Sequence, residues 1–459
     1  MARARVALGV ALLAAGLGAC TEGGTRSRER DHVVRFWGLG REGEVVKDLV
    51  PEFERENPGV RVVVQQIPWT AAHEKLLTGF VGGSPPDLAQ LGNTWIPEFA
   101  AIGALEPLDP RVAASRALAP GDYFEGIWKT NAFAGATFGI PWYVDTRVLF
   151  YRADLLAAAG YPEAPRTWSA WREAMVKIAG AGASASTNAS AITNASAITK
   201  EPGGKRFAIL LPTNEWEQVT IFGLQRHSAL LADGDTRGAF SAPAFAGAAA
   251  WYVGLYRDGL APVVSYTQLG NPYQEFSRGY IAMWITGPWN LGEFRRRLPP
   301  ELQDTWMTAP VPAPDDAGEY PGYSLAGGSS LAIFRASREK DAAWRLVEFL
   351  SRPEIQSRFY GMSGDLPARR VSWDAPALAG DSKAKAFRDQ LSRVTPLPRV
   401  PEWEQIAQKL WEDLEGPIRG RASVADSLRR VDADVDRILE KRRWMLARAK
   451  ERGREAGGR

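Results

Sequence analysis

The chain has 459 residues, of which 45% are hydrophobic and 24% charged, values typical of a globular protein with a substantial core. Its formal net charge is +3, and it falls to +1 when Arg3 and Arg5 of the N-terminal leader are left out. A chain so close to neutral has no electrostatic basis for binding nucleic acid. The 3 His residues (His32, His73 and His227) lack the spacing of metal ligands or of a catalytic triad, so we expect neither.

Residues 1–19 have the three parts of an export signal: two arginines, an apolar stretch that ends at Leu17, and small residues before Cys20. The apolar stretch is too short for a stable membrane span. Leu17–Cys20 (Leu-Gly-Ala-Cys) resembles a bacterial lipobox, which implies that the mature chain begins at Cys20 and carries lipid there. Because Cys20 is the 1 cysteine of the chain, we prefer this interpretation to an ordinary secretory signal with an incidental cysteine. We interpret residues 20–32 as a flexible tether to the folded domain.

Hydrophobic periodicity predicts alternating strands and helices through the first part of the chain. The predicted strands are Val33–Trp37, Val60–Ile67 and Pro86–Leu91, with helices between them from Val45 to Phe53 and from Leu76 to Phe80. This alternation predicts mostly parallel sheets covered by helices on both faces. In such sheets ligands bind at the carboxyl ends of the strands, here in residues 38–43, 66–70 and 92–96.

The rest of the chain continues the pattern. Further strands are predicted at Val148–Tyr151, Phe207–Leu211, Ile281–Ile285 and Leu331–Phe334, and helices at 168–178, 215–230, 342–350 and 424–438. A six-residue repeat, Thr187–Ile192 followed by Thr193–Ile198, lies in a stretch of Ala, Ser and Thr that is too small and polar to build a core. We interpret it as an expanded surface loop. We expect residues 441–459 to form a basic polar tail.

The sequence holds no motif that points to catalysis. It lacks a phosphate-binding glycine loop, and Gly322–Ala326 lacks the last glycine of a nucleophile elbow and has no histidine in the C-terminal half to act as its base. Acidic residues are abundant enough to supply a glycosidase pair, but no specific motif supports one. We therefore predict no catalytic residue, metal or cofactor, and keep a secreted carbohydrate-active enzyme as an alternative.

Aromatic and polar side chains occur together in five segments, mostly directly after predicted strands. The segments are Gln66–Trp69, Gly92–Trp95, Pro141–Asp145, Asn214–Glu217 and Gly287–Asn290. A pyranose has a C–H face that packs on an aromatic ring, and its hydroxyls both donate to and accept from polar side chains in the plane of the ring. We interpret the five segments as loops that line a sugar-binding cleft. For any single Trp in them, packing within the core is an equally good interpretation.

Two stretches carry a resemblance to a known family. Gly139–Leu155 and Met283–Trp289 resemble hallmark segments of the extracellular solute-binding proteins of sugar ABC importers, in the maltose/trehalose-binding group. Ser324–Ser330 and Gly364–Arg369 are similar to two later loops of the same family. The resemblance implies an α/β fold of two lobes, the type II periplasmic-binding-protein fold, in which each lobe is a mostly parallel sheet flanked by helices.

The resemblance also implies how the lobes divide the chain and where the ligand lies. The N-terminal lobe would comprise residues 33–145 and 312–345, and the C-terminal lobe residues 146–311 and 346–440. The ligand would lie in the cleft between them and contact Glu42, Asn93, Tyr143, Asp145, Trp289, Gly327, Gly328 and Arg369. Among these, Trp289 and Tyr143 would stack on the sugar, Asp145 would accept from a hydroxyl and Arg369 would donate. Composition and loop position alone add Trp69, Trp95 and Trp216.

The function that the resemblance implies is the substrate-binding component of an ABC transporter. Such a protein captures a mono- or oligosaccharide by lobe closure and delivers it to the permease subunits in the membrane. We expect a monomer, held by its lipid anchor in the periplasm or at the outer face of the membrane. The same fold could instead bind a cationic solute such as a polyamine, which would call for several carboxylates around an aromatic cage. The mixed set of Glu42, Asn93, Asp145 and Arg369 fits a neutral polyol better.

Overall fold

The computed structural model of the protein describes residues 32–186, 206–316 and 319–457. Cys20, its leader, the tether up to residue 31 and the repeat at 187–198 therefore lie outside the described residues. Within those ranges, none of the helices is both long and apolar enough to cross a lipid bilayer. The same residues contain no group of three or more His, Cys, Asp or Glu side chains placed to hold a metal ion.

The elements alternate along much of the chain. The strands are β1 (His32–Leu39), β2 (Val60–Ile67), β3 (Leu88–Gly92), β4 (Ala132–Phe133), β5 (Ala136–Thr137), β6 (Ile140–Asp145), β7 (Val148–Arg152), β8 (Phe207–Leu210), β9 (Leu231–Ala232), β10 (Arg237–Gly238), β11 (Ile281–Thr286), β12 (Trp306–Ala309), β13 (Ser324–Leu325), β14 (Gly327–Ile333), β15 (Leu366–Pro367) and β16 (Val394–Thr395).

The helices connect these strands and cover the sheets. They are α1 (Gly40–Val45), α2 (Val50–Glu56), α3 (Trp69–Val81), α4 (Ile96–Ala101), α5 (Asp109–Ala114), α6 (Glu125–Lys129), α7 (Ala153–Ala158), α8 (Trp168–Ser186), α9 (Glu217–Gln225), α10 (Pro243–Arg257), α11 (Tyr266–Leu269), α12 (Pro272–Ser277), α13 (Trp289–Arg297), α14 (Lys340–Leu350), α15 (Pro353–Ser363), α16 (Pro376–Ala379), α17 (Lys385–Gln390), α18 (Trp403–Ile418), α19 (Val424–Ile438) and α20 (Glu440–Gly457).

Two sheets organise the two lobes. The first lobe is built on a six-stranded sheet in the order β15-β6-β14-β3-β1-β2, and the second on a four-stranded sheet in the order β12-β7-β11-β8. The central strands β7 and β11 are buried along their whole length, as expected for strands with helices on both faces. At the edge of the first sheet, β2 is mostly exposed, with Val60 and Ile67 buried at its two ends.

The two-lobed α/β fold is confirmed, but both sheets are mixed rather than mostly parallel. In the first sheet β1 pairs in parallel with β2 and β3, whereas β14 runs antiparallel to β3 and β6, and β15 antiparallel to β6. In the second sheet β8 and β11 are parallel, and β7 is antiparallel to β11 and β12. The antiparallel strands lie next to the places where the chain passes between the lobes. The alternation of strands and helices along the sequence does not reveal this antiparallel pairing.

The structure adds detail at two further places. Pro141–Asp145, interpreted as a loop, lies within strand β6, whose residues are buried up to Val144. Residues 441–459, expected to be a polar tail, form helix α20 as far as Gly457. The sequence around Pro141 lacks a run of alternating polar residues because both faces of this strand are covered.

The lobe boundaries implied by the resemblance also need correction. Residues 312–316 and 319–323 belong with the second lobe, where Ala313 bridges Thr167 and the backbone N–H of Gly322 donates to the carbonyl oxygen of Val311. Residues 346–379 belong with the first lobe, because α14 packs on β1 and β14, Leu366 in β15 pairs with Val144, and Arg369 bridges Tyr123. The apolar face of α14 continues across position 345, so a boundary there would cut a single helix.

Candidate functional site

A cavity of ≈ 720 Å³ lies between the two lobes. The first lobe contributes the segments after β1, β2 and β3, the end of β6 and the start of β14. The second lobe contributes the segment after β8, helices α11 and α12, and the start of α13 after β11. Because most of these segments follow the carboxyl ends of strands, the sheets hold their side chains at a common edge.

Ten of the eleven residues predicted to contact a ligand line this cavity. They are Glu42, Trp69, Asn93, Trp95, Tyr143, Asp145, Trp216, Trp289, Gly327 and Gly328. The sequence analysis missed others that line it as well, among them Arg147, Glu217, Tyr266, Tyr273, Trp284, Asp365 and Glu404. Arg147 and Glu217 lay within or beside the segments already singled out, whereas Tyr266 and Tyr273 follow no predicted strand and had no local signal.

Arg369 does not line the cavity, so the structure does not bring this predicted ligand donor together with the other ten residues. Its Nη1 donates to the carbonyl oxygens of Ala117 (2.8 Å) and Ser351 (3.3 Å). Its Nη2 donates to Asp122 Oδ2 at 2.8 Å. The resemblance pointed to the right loop but to the wrong residue in it, because Asp365 at the start of that loop is the one that lines the cavity.

Glu42 sits at the start of α1 in a chain of buried hydrogen bonds. Tyr143 donates its hydroxyl proton to Glu42 Oε1 (2.8 Å), and Trp69 Nε1 donates to Glu42 Oε2 (3.4 Å). Gln90 Nε2 in turn donates to the Tyr143 hydroxyl (3.0 Å). The Tyr143 ring packs against Phe359 inside the first lobe, so Tyr143 fixes the Glu42 carboxyl rather than offering a stacking face.

Asp365 is buried and lines the cavity with part of its carboxyl unused. Its backbone N–H donates to Ser363 Oγ, but its Oδ1 atom has no hydrogen-bond partner. Burial, with the nearby negative charge of Glu42, raises the pKa of Asp365 well above its ordinary value. Burial likewise raises the pKa of Glu42. An unpartnered buried oxygen is costly unless a bound molecule pairs with it.

Arg147 joins the two lobes at the centre of the cavity. Its Nη1 donates to both oxygens of Asp145 (2.6 and 2.5 Å), at the end of β6 in the first lobe. Its Nη2 donates to Glu217 Oε1 (3.1 Å), at the start of α9 in the second lobe. The same guanidinium lies over the ring of Trp289, with its Cζ 4.6 Å from the ring centre. Asp145 is thus already an acceptor for Arg147, although burial raises its pKa.

Glu215 lies beside Glu217 and accepts a hydrogen bond from Gln218. Burial is the largest influence on its carboxyl, followed by the like charge of Glu217, and together they raise its pKa to about 8. Arg147 and a hydrogen bond from Tyr266 oppose this rise only in part. Near neutral pH Glu215 is therefore largely protonated and can donate as well as accept.

Aromatic rings form two walls of the cavity. On the first lobe, Trp69 and Trp95 lie edge to face with ring centres 5.7 Å apart. On the second lobe, Trp289 stands near Tyr273 and Trp284, and the buried Nε1 of Trp284 has no hydrogen-bond partner. Trp216 lies at the margin, where its ring meets the core residue Trp403 at 5.4 Å.

Backbone and amide groups complete the lining. Asn93 Nδ2 donates to the carbonyl oxygen of Ala326 (3.2 Å). This bond uses the amide nitrogen of Asn93 and does not use its side-chain oxygen. Gly328 adopts φ +144°, and a Cβ atom there would lie 2.4 Å from the carbonyl oxygen of Tyr143. Only glycine allows β14 to approach β6 so closely beside the cavity.

The lining is rich in acidic groups. It includes seven carboxyl side chains (Glu42, Asp145, Glu215, Glu217, Glu293, Asp365 and Glu404) and three guanidinium groups (Arg41, Arg147 and Arg297). The pKa is raised above its ordinary value at Glu42, Asp145, Glu215, Asp365 and Glu404. Burial is the largest cause in each case, and it lowers the negative charge that the cavity carries at neutral pH.

Comparisons with known proteins show which family the chain belongs to. The model of the bacterial extracellular solute-binding proteins matches residues 37–357. The solved structure of the sugar-binding protein MalE from Xanthomonas citri has a TM-score of 0.79 and 46% sequence identity, over 90% of this chain and 99% of that one. The diacetylchitobiose-binding protein DasA of Streptomyces coelicolor is 24% identical over 85% of this chain and 86% of its own length.

A further relative comes from Pyrococcus abyssi. The maltotriose-binding protein of Pyrococcus abyssi is 22% identical, over 87% of this chain and 78% of its own length. Since the family model covers well over half of the chain, and a solved structure with 46% identity spans nearly all of it, membership is established. This is a family of binding proteins and not of enzymes. The chain belongs to the bacterial extracellular solute-binding protein family.

Proposed function

We propose that the protein is the sugar-binding component of an ABC importer and that it holds a small saccharide in the cavity between its lobes. The observation that carries the proposal is the lining of that cavity, where aromatic faces such as Trp289 stand next to carboxyl and guanidinium groups from both lobes. A sugar ring needs both kinds of surface, one for its C–H face and one for its hydroxyls.

The protonation of the buried carboxyls also favours a neutral polyol. A carboxyl kept protonated near neutral pH, such as Glu215, donates one hydrogen bond and accepts others. A sugar hydroxyl likewise donates and accepts, so protonated and ionised carboxyls together satisfy it without leaving a buried group unpaired. The unpartnered Oδ1 atom of Asp365 and Nε1 atom of Trp284 would find such partners in the ligand.

Lobe closure is the mechanism we propose for capture. The chain passes between the lobes at Asp145–Val148, again at Leu325–Gly327, and a third time between α16 and α17, and these short crossings can act as hinges. A ligand favours the closed form only through contacts that the open form lacks. Contacts that join the lobes are already present, because Thr94 Oγ1 of the first lobe donates to Glu404 Oε1 of the second at 2.7 Å.

Delivery to a permease and lipid anchoring are the remaining parts of the proposal. The lipobox at Leu17–Cys20 supports an anchor that keeps the protein outside the cytoplasm, at a membrane. The relatives favour an oligosaccharide, since they include proteins that bind diacetylchitobiose, maltotriose and galactooligosaccharides. A cavity of ≈ 720 Å³ fits a ligand of more than one sugar ring within the usual range of ligand pockets.

A second candidate is a cationic solute bound by the same cleft. Seven carboxyls against three guanidinium groups, surrounded by aromatic rings, is the arrangement that attracts an amine. Arg369, the basic residue in the mixed set that favoured a neutral polyol, lies outside the cavity. A cationic solute such as spermidine therefore belongs in the ligand panel beside the sugars.

The test is calorimetric titration of the purified protein with maltose, maltotriose, trehalose, sucrose, cellobiose, glucose, spermidine and amino acids. We expect one class of sugar to bind with a stoichiometry near one and without release of any product. Trp289→Ala should weaken that binding by about tenfold or more, because the stacking face is lost. Trp444→Ala, which removes an exposed Trp far along the chain in α20, is the matched control and should leave the affinity unchanged.

Two results would overturn the sugar assignment. Binding of spermidine but of no sugar would move the substrate to the cationic class while leaving the fold and the cleft intact. Equal effects of Trp289→Ala and Trp444→Ala on sugar affinity would place the ligand outside this cavity.

A further inference from the structure

Two contacts between the lobes border the cavity. In the first contact, the hydroxyl of Thr94 donates to Glu404 Oε1 at 2.7 Å, and both residues line the cavity. Thr94 follows β3 in the first lobe. Glu404 lies in the first turn of α18, a helix that packs on α10 and α19 of the second lobe. The bond between these two side chains therefore joins the lobes at the margin of the cavity.

In the second contact, backbone meets backbone. A Cβ atom at Gly292 in α13 would lie 2.5 Å from the carbonyl oxygen of Ser363, and one at Gly364 would lie 2.7 Å from the backbone nitrogen of Gly292. Helix α13 belongs to the second lobe, and α15, which ends at Ser363, belongs to the first. Ser363 and Glu293 beside this contact line the cavity. Only glycine allows the two helices to approach so closely, so no ligand can pass between them.

The strand order of the first sheet separates the two contacts. Strand β15 begins directly after Gly364, β3 ends directly before Asn93 and Thr94, and β6 and β14 lie between them in the sheet. The pairing places the start of β15, the end of β6, the start of β14 and the end of β3 at one edge, which borders the cavity. With neighbouring strands about 4.8 Å apart, three spacings put the two contacts about 14 Å apart along this edge.

The second lobe has the same arrangement. Trp289 begins α13 after β11, and α9 follows β8, which is the neighbour of β11 in the second sheet. Trp216, directly before α9, meets Trp403 of α18 with ring centres 5.4 Å apart. The β11 side of this lobe therefore carries the contact at Gly292, and the β8 side lies toward the contact at Glu404. Both lobes thus place one contact at each end of the cavity.

The end of the cavity at Thr94 is built from packed side chains. Trp95 lines the cavity there, with its ring centre 5.7 Å from that of Trp69 and 5.2 Å from that of His73. The His73 Nε2 atom lies 2.6 Å from Glu98 Oε2, which fixes the imidazole against Trp95. Because these groups hold one another, the end wall is in place before a ligand enters, and little ordering is required on binding.

We infer that the contact between Thr94 and Glu404 limits the length of the saccharide that the cavity accepts. A sugar chain that lies along the cleft meets this contact at one end and the contact between Gly292 and Gly364 at the other. The ligand is then a short saccharide of about two to three rings, enclosed at both ends. Side chains form the contact at Thr94, whereas backbone forms the other, so Glu404 is a specificity-determining residue. The inference rests on the proposed function, because it takes the ligand to be a saccharide.

The experiment compares short saccharides with longer ones that contain them. The purified protein is titrated by calorimetry with maltose, maltotriose and maltoheptaose, with cellobiose and cellohexaose, with trehalose and maltosyltrehalose, and with sucrose and stachyose. The quantity measured is the ratio of the dissociation constants of the longest and the shortest member of each series. This ratio reports on ligand length, whereas a general weakening of the site would change both constants alike.

The variants separate the contact from the rest of the site. The test variant carries Thr94→Ala and Glu404→Ala, which remove both side chains of the contact. Glu404→Gln is the conservative variant, because its amide oxygen still accepts the hydrogen bond from Thr94. Glu415→Ala, at a partly exposed position in the same helix where Glu415 pairs with Arg419, is the matched control.

In the series that binds, we expect the parent, Glu404→Gln and Glu415→Ala to bind the longest member at least about tenfold more weakly than the shortest. In the double variant this ratio should fall to about one, because a longer chain can extend past position 404. Equal affinity of the parent for short and long members, or an unchanged ratio in the double variant, would overturn the inference and leave the sugar assignment standing. Absence of binding by every saccharide would overturn the proposed function and this inference with it.

Discussion

The guanidinium carbon of Arg147 lies 4.6 Å from the centre of the Trp289 ring, so one face of that indole is already covered by a cation. Asp145 and Glu217 hold Arg147 in place from the two lobes. Trp289 also lines the cavity, which leaves its other face as the one that a ligand can use. The stacking surface is therefore fixed before a ligand arrives, and little ordering is required on binding.

Gly287→Ala should disturb this surface without changing any group that touches a ligand. A Cβ atom at position 287 would lie 2.0 Å from the nearest atom of the Trp289 ring, so the ring must move. We expect the affinity for sugar to fall by about tenfold or more, together with a loss of roughly 1–3 kcal/mol in the free energy of unfolding. Titration calorimetry and urea unfolding measure the two effects.

Gly247→Ala is the matched control for this substitution. Gly247 lies within α10, and no heavy atom comes within 4 Å of the Cβ position there. Alanine at that site should leave sugar binding unchanged and stabilise the helix by up to about 1 kcal/mol. If Gly287→Ala bound sugar as tightly as Gly247→Ala, the position of the Trp289 ring would not matter for binding.

Asp365→Asn tests the residue that the sequence analysis missed in the loop Gly364–Arg369. The unpartnered Oδ1 atom of Asp365 is available to a ligand hydroxyl. An amide at this position replaces one of the two carboxyl oxygens, each of which can accept, by an NH2 group that only donates. We expect sugar affinity to fall by about tenfold, which corresponds to about 1.4 kcal/mol. The free energy of unfolding should not fall, because the substitution removes a buried acid beside Glu42.

Asp374→Asn supplies the comparison for that experiment. Asp374 is 72% exposed and forms an ion pair with Arg388 away from the cavity. Neither the affinity nor the stability should change by more than about 0.5 kcal/mol. An unchanged affinity in Asp365→Asn would show that the ligand does not reach this end of the cavity.

The sequence could predict those parts of the site that directly follow strands. Runs such as Val60–Ile67 are rich in β-branched residues, and β2 has the bounds that the pattern predicts. Trp69 was assigned from its position after such a strand, whereas Asn93 and Trp289 also lie after predicted strands but were assigned through the family resemblance. Tyr266 and Tyr273 come from short helices whose path over the cavity depends on packing between distant segments, and no local pattern encodes that path.

In the loop Gly364–Arg369, the sequence did not reveal which side chain faces the cavity. The resemblance located residues 364–369 but could not say which side chain points into the cavity. That choice follows from the pairing of Leu366 with Val144, which orients Asp365 and Arg369 differently. Strand pairing between residues more than two hundred positions apart is set by tertiary structure.

Arg369→Ala should therefore affect stability and spare binding. The substitution removes two donations to backbone carbonyls and an ion pair with Asp122. It leaves the buried Ser351 carbonyl and the half-buried Asp122 carboxyl without this partner. We expect the free energy of unfolding to fall by roughly 1–3 kcal/mol, with sugar affinity unchanged. Urea unfolding and calorimetry on the same preparation check this, and a selective loss of affinity would restore Arg369 to the site.

Glu215→Gln should change how stability depends on pH. The carboxyl of Glu215 has an ordinary pKa of 4.5 and a pKa of about 8 in the folded protein, chiefly because of burial. Below 4.5 it is protonated in both the folded and the unfolded states and contributes no difference. Between 4.5 and 8 the unfolded state releases the proton and the folded state keeps it, so the stability of the parent falls as pH rises through this window.

Glutamine cannot ionise, and the variant should lack that part of the decline. At about pH 9 we expect Glu215→Gln to be more stable than the parent by at least about 1.4 kcal/mol, the equivalent of a change of one in the pKa. At about pH 5 the two proteins should differ little. Glu74→Gln, at an exposed position in α3, should follow the parent throughout. Parallel pH profiles for Glu215→Gln and the parent in urea unfolding would mean that Glu215 is ionised in the folded protein, and that the cavity carries more negative charge than a neutral sugar requires.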